Sequence, residues 1–251
     1  MGKRAAWFIT AMAVLAGLSC LKFAQHYYTS SVALRLDPTH ETQFATDNDR
    51  LVKQESGNKR IVLFGDSRTE MWHGFPFPDG YELINRGIGG DTTSQALLRL
   101  SRDVLKLAPN IVVIQVGIND LKAIGILPEK ELQIIERTKE HLKLMLDQLK
   151  RSNIHVLLLT VWPAGKPDLM RRVIWSDEIN KAVAETNRFI RRLAGEGVTV
   201  IDCDPLFSHE GIMRQQYAED TLHLNASGYE AINRLLQTPL AAFASANQAH
   251  H

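Results

Sequence analysis

From Arg60 onward, short continuous apolar runs alternate with segments of helical length, and this alternation restricts the fold more than any other feature. Ile61-Val62-Leu63-Phe64 and Ile111-Val112-Val113-Ile114 are unbroken apolar tetrads, the pattern of strands covered on both faces. Ile154–Leu159 and Val198–Ile201, each with one polar residue, are the fourth and fifth strands, and Tyr81–Ile84 is a weaker strand. Between them, Thr93–Leu107 carries Leu97, Leu100, Val104 and Leu107 at helical spacing. Pro128–Arg151 is a long amphipathic helix, Ser176–Ala194 opens on a serine suited to an N-cap, and Ser227–Phe243 is a final helix. Strands joined through helices of ten or more residues pair in parallel with right-handed crossovers. Five strands in about 190 residues suit an open doubly wound α/β sheet, since a closed eight-stranded barrel needs more chain. In such sheets ligands bind beyond the carboxyl ends of the strands. The loops at those ends are therefore where chemistry is expected.

Four stretches lie there. The first strand runs into Gly65-Asp66-Ser67-Arg68, the second into Asn85 to Thr93, and the third into Gly117-Ile118-Asn119-Asp120. Asp220-Thr221-Leu222-His223 precedes the last helix. A serine hydroxyl is a poor nucleophile unless a base takes its proton. Asp220 and His223, three residues apart, supply a base with an orienting acid: the carboxylate can accept the Nδ1 proton and leave Nε2 to face Ser67. Acyl transfer also builds negative charge on a carbonyl oxygen, which preorganised N–H donors stabilise. The backbone amides of Ser67 and Gly90 and the side-chain amide of Asn119 are the candidates. Taken singly, Ser67 reads as an N-cap, Asn119 as a turn former and Gly90 as a loop glycine; their joint order argues for a site. Asp66 is expected to bond loop N–H groups, and Asp91 and Asp120 to cap helices or turns. Trp162, after the fourth strand, suits either a pocket wall or a loop anchor.

These four blocks resemble those of the GDSL-type, or SGNH, hydrolases. The matching residues are Gly65-Asp66-Ser67, Gly90 within Gly-Gly-Asp-Thr-Thr, Gly117-x-Asn119-Asp120 and Asp220-x-x-His223. The second block and Leu222-His223-Leu224 are similar to the catalytic subunits of type Ib platelet-activating-factor acetylhydrolases. The resemblance covers about residues 60–243. It implies a three-layer α/β/α fold with a flavodoxin-like sheet, Ser67 as nucleophile, His223 as base and Asp220 as its orienter. It also implies Ser67, Gly90 and Asn119 as oxyanion donors. Arg68 and Thr69 follow the serine at positions where the family varies.

The reaction expected is serine-dependent hydrolysis of a carboxylic ester through an acyl-enzyme, with no metal and no organic cofactor. The substrate would be an O-acylated glycan, a lipid or a small ester. Acyl transfer to a sugar hydroxyl by the same residues, and a silent binding domain of the same fold, are the alternatives. The formal net charge of +1, with Lys and Arg scattered among Asp and Glu, gives no electrostatic case for nucleic acid.

The amino-terminal segment is of another kind. Lys3 and Arg4 precede an apolar run from Ala5 to Leu21, and roughly 17 residues reach the short end of what crosses a bilayer core. Positive charge ahead of the run directs the remainder outward, to the periplasmic or extracellular side. An uncleaved anchor, a cleaved signal peptide and a lipidated Cys20 are the three forms this takes. The expected organisation is an anchor or signal over 1–22, a polar stalk over 23–59 that is partly helical near Asp49 to Gln54, the hydrolase domain over 60–243 and a tail over 244–251.

Overall fold

A computed structural model describes residues 2–54 and 57–248. These divide into two compact units, one ending at Gln43 and one beginning at Phe44. The first unit is built on one helix, α1 (Lys3–Leu36), which continues fifteen residues past the apolar run's expected end at Leu21. Its stretch Trp7–Leu36 has a mean hydropathy of 1.7 and is exposed, and by length and composition it can cross a membrane.

The second unit starts with α2 (Ala45–Lys53), within the segment expected to be a stalk. The polarity of this segment is put to use inside the domain. Leu51 is buried, Asn48 donates to Asp103 Oδ1 at 2.8 Å, and Asp47 meets Arg86 Nη2 at 2.6 Å. The globular unit therefore begins some fifteen residues before the expected boundary at residue 60.

Then follow β1 (Lys59–Gly65), α3 (Ser67–Glu70), β2 (Tyr81–Gly87), α4 (Thr93–Asp103), β3 (Ile111–Gln115) and α5 (Ile118–Leu121). The chain continues through α6 (Glu131–Arg151), β4 (His155–Leu159), α7 (Glu178–Arg191), β5 (Val198–Ile201) and α8 (Asp204–Phe207). A short hairpin, β6 (Ser208–His209) and β7 (Ile212–Met213), precedes α9 (Ala226–Gln248). The last helix runs on into the expected tail, where Ala244 still packs on the core; residues 249–251 of that tail lie outside the described residues.

The five expected strands form one parallel sheet in the order β2-β1-β3-β4-β5. Because successive strand residues point to opposite faces, each apolar run feeds two cores. Val62, Phe64, Val112, Ile114, Val156 and Leu158 join the buried faces of α4, α6 and α7. Ile61, Leu63, Ile111, Val113, Leu157 and Leu159 join Trp72, Phe207 and α9. The result is the three-layer α/β/α arrangement, and burial on both faces explains why the runs carry no alternation. The strand order reverses between β1 and β3, a switch point that opens a crevice at their carboxyl ends.

Candidate active site

Ser67 is the first residue of α3, immediately beyond β1. Asp66 caps that turn, accepting the Arg68 amide at 2.9 Å, as expected for a carboxylate that bonds loop N–H groups. Burial raises the Asp66 carboxyl to about 6, against the pull of the Arg68 cation. β1 and β3 close so tightly here that a Cβ on Gly65 would fall 1.8 Å from the Gln115 carbonyl oxygen. Only glycine fits, and this close approach fixes where the following serine emerges.

The hydroxyl of Ser67 lies 3.0 Å from His223 Nε2. On the other side of the ring, Nδ1 is 3.0 Å from Asp220 Oδ2 and 3.1 Å from Oδ1. The carboxylate is held in turn by the amides of Leu222 (2.7 Å) and His223 (2.8 Å), which also form the turn that spaces the two residues. Burial pushes the Asp220 carboxyl up, but these amides and the imidazole outweigh it and bring the group to about 2. An ionised carboxylate on Nδ1 favours the tautomer with its proton there, leaving Nε2 able to accept from the serine.

The second and third blocks meet this line from the sheet's crevice. Gly89 faces Ser67, since a Cβ on it would stand 3.9 Å from the serine Cβ. Gly90 adopts φ +86°, a left-handed conformation that suits glycine. Asn119 is buried, and its Nδ2 donates to the Asp91 carbonyl at 2.9 Å, tying the two loops together. Asp120 does the same from the next position: its carboxylate accepts the Thr93 amide (2.8 Å) and hydroxyl (2.7 Å) at the start of α4. Burial lifts the Asp120 carboxyl to about 6 in spite of those bonds. Asp91, by contrast, does not serve mainly as a cap. It pairs with the fully buried Arg99 at 2.6 Å. Trp162 is an anchor and not a pocket wall: it is fully buried, with Phe207 edge-on at 5.5 Å and the Arg68 guanidinium 4.8 Å from its ring.

The five expected residues thus lie beyond strand ends or ahead of the last helix, Ser67 and Asn119 in the first turns of α3 and α5 and Gly90, Asp220 and His223 on loops. Sequence reasoning missed two supports. Arg68 is fully buried and spans from Leu222 O (2.9 Å) to Trp162 O (2.8 Å). Arg171 reaches Asp220 Oδ2 at 3.3 Å from a stretch read only as a loop. The sole hint of the former was its position beside the serine. Nothing in the sequence marked the latter.

The chemistry available is proton transfer from a hydroxyl to an imidazole backed by a carboxylate, beside amide donors, a set suited to acyl transfer. Comparison with known proteins agrees. A family model of the GDSL-like Lipase/Acylhydrolase family matches residues 63–231. Platelet-activating factor acetylhydrolase IB subunit alpha1 from Bos taurus is 30% identical over 198 residues, covering 75% of this chain and 78% of that protein. The uncharacterized lipoprotein YqeF of Bacillus subtilis (strain 168) is 30% identical over 124 residues, covering 43% of this chain and 50% of that protein. The crystal structure of a GDSL-like lipase from Bacteroides thetaiotaomicron is similar with a TM-score of 0.63 at 25% identity, covering 81% of this chain and 98% of that one. The chain belongs to the GDSL-like lipase/acylhydrolase family and is a carboxylic ester hydrolase.

Proposed function

We propose that the protein hydrolyses O-acyl esters outside the cytoplasm through an acyl-enzyme on Ser67. The observation that carries this reading is the continuous contact Ser67 Oγ–His223 Nε2–Asp220, at 3.0 Å and 3.0 Å. Ser67 Oγ attacks the ester carbonyl carbon while its proton passes to His223 Nε2. The oxyanion is met by the amides of Ser67 and Gly90 and by Asn119. His223 then protonates the alcohol oxygen as its bond to the acyl carbon breaks. Water enters, gives a proton to His223 and attacks the acyl carbon; the acid leaves and Ser67 regains its proton.

The location outside the cytoplasm is supported by the exposed apolar stretch Trp7–Leu36 and by similarity to a protein named as a lipoprotein. The positive flank Lys3-Arg4 orients the chain outward. Acetyl and other short acyl groups fit the similarity to an acetylhydrolase.

The test uses the full chain in detergent with p-nitrophenyl acetate and a fluorophosphonate probe. The wild type should turn over the ester and take the label, and Ser67→Ala should do neither. A labelled Ser67→Ala protein would remove Ser67 as nucleophile.

A further inference from the structure

Residues 165–176, beyond β4, cross the rim of the candidate site as a strap fastened at both ends. The Gly165 amide donates to the Thr221 carbonyl at 2.7 Å, and the Thr221 hydroxyl to the Lys166 carbonyl at 3.3 Å. Arg171 touches Asp220 at 3.3 Å. At the far end, the Ile174 carbonyl lies over Gly125, where a Cβ would come within 2.3 Å of it. A strap tied at this many points has a defined outer face.

That face is apolar. Leu169, Met170 and Val173 are 79%, 87% and 87% exposed. Ile174, and Ile126 next to Gly125, are exposed as well. Scattered surface apolar residues need no explanation, but a cluster of this kind on an anchored segment marks a surface with a partner. Within the strap, Arg171 is engaged by Asp220 and by Asp168 at 3.8 Å, and the exposed cations Lys166 and Arg172 supply the charge its surface presents.

We propose that this strap docks the catalytic unit on an anionic lipid surface, so that esters lying in that surface are presented to Ser67. Apolar side chains interleaved with cations enter the boundary between headgroups and acyl chains and are held there by anionic lipid. The same chain carries the apolar stretch Trp7–Leu36, long enough to cross a membrane, so a lipid surface is at hand. A second copy fits less well, because a self-complementary contact would set two net-positive straps face to face. The docking stands on the strap alone. The statement about substrate rests on the ester-hydrolase reading above.

The test places a fluorophore on Val173→Cys in a Cys20→Ser background of the full chain, since Cys203 is buried. The protein is reconstituted in phosphatidylcholine vesicles with and without phosphatidylglycerol, and quenching by a lipid-borne quencher is read. Lys150→Cys, exposed at the opposite edge of the sheet, is the reference position. Quenching at 173 should exceed that at 150 by at least about threefold, and should fall without phosphatidylglycerol or at high salt. Equal quenching at the two positions, or a signal that follows protein concentration and not lipid, overturns the proposal. The variant Leu169→Ser/Met170→Ser/Val173→Ser should lower the ratio of vesicle-borne to water-soluble ester turnover about tenfold, by loss of the docked fraction. An unchanged ratio also overturns it. Absence of turnover on either ester would strike the hydrolase reading and leave the quenching result standing.

Discussion

The guanidinium of Arg68, the residue after Ser67, hydrogen-bonds the carbonyl of Leu222, the residue before His223, at 2.9 Å. A single buried side chain thus couples the two loops whose side chains meet 3.0 Å apart. Burial draws the Arg68 pKa down to about 10, which leaves the group charged at neutral pH. Its hydroxyl-bearing neighbour Tyr229 donates to the Arg68 carbonyl at 2.8 Å and steadies the same turn. Arg68→Met keeps bulk and removes both carbonyl contacts. Displacement of reacting groups by an ångström costs about 10²-fold, so kcat for p-nitrophenyl acetate should fall roughly 10–100-fold. The rate of fluorophosphonate labelling should fall with it. Unchanged labelling would show that the loops hold their spacing without this bridge.

Asn119 offers a second measurement. One of its amide hydrogens is used on the Asp91 carbonyl at 2.9 Å, which aims the other. If that second hydrogen meets the oxyanion, Asn119→Ala should lower kcat by about 10²–10³ with KM little changed. The same substitution leaves the buried end of the Asp91 loop without its donor, at a cost of about 1–3 kcal/mol in stability. A stability loss without a rate loss would reduce Asn119 to a structural tie.

Much of this arrangement was legible in the sequence, for a physical reason. A strand covered on both faces is apolar along its length, so two of the five strands stood out as unbroken runs and two more as runs with one polar residue, and the strand ends then located Ser67, Gly90 and Asn119. Arg68 and Arg99 were not legible. A buried arginine and a solvated one are the same letter, and only the folded chain shows which carbonyls converge on it. The helix Ala45–Lys53 was legible in part, near Asp49 to Gln54, but its place inside the domain was not, because its polar residues Asp47 and Asn48 are partners of buried charges and not of water. The strap escaped notice because its apolar side chains follow no strand or helix period.

The pH profile tests the carboxyls around Ser67. With its folded pKa near 2, below the ordinary 3.8, Asp220 stays ionised through the mildly acid range. Its contribution to stability is fully present above the unfolded value and is lost progressively as pH falls from there through about 2. Asp220 should therefore add nothing to the acid-side loss of kcat/KM above about pH 4, whereas Asp66 and Asp120, raised to about 6, take up protons in that range. An acid limb that Asp66→Asn and Asp120→Asn both leave unmoved would show that neither carboxyl is coupled to the reaction.

Arg99 supplies the stability prediction. It is buried with both its carboxylate partners, Asp91 at 2.6 Å and Asp103 at 3.3 Å. It also donates to Gly65 O and Arg86 O, each at 2.9 Å, and its guanidinium sits 4.4 Å from the Phe64 ring centre. The side chain thereby joins the ends of β1 and β2 to the loop bearing Gly90. Arg99→Met removes the cation from between two buried acids, and breaking such a network costs about 3–5 kcal/mol. Urea denaturation should show the loss as a lower midpoint with the slope unchanged. If the cost comes from the carboxylate left behind and not from lost packing, Arg99→Met with Asp91→Asn should be more stable than Arg99→Met alone. A double variant no better than the single would assign the loss to the carbonyl contacts and to Phe64.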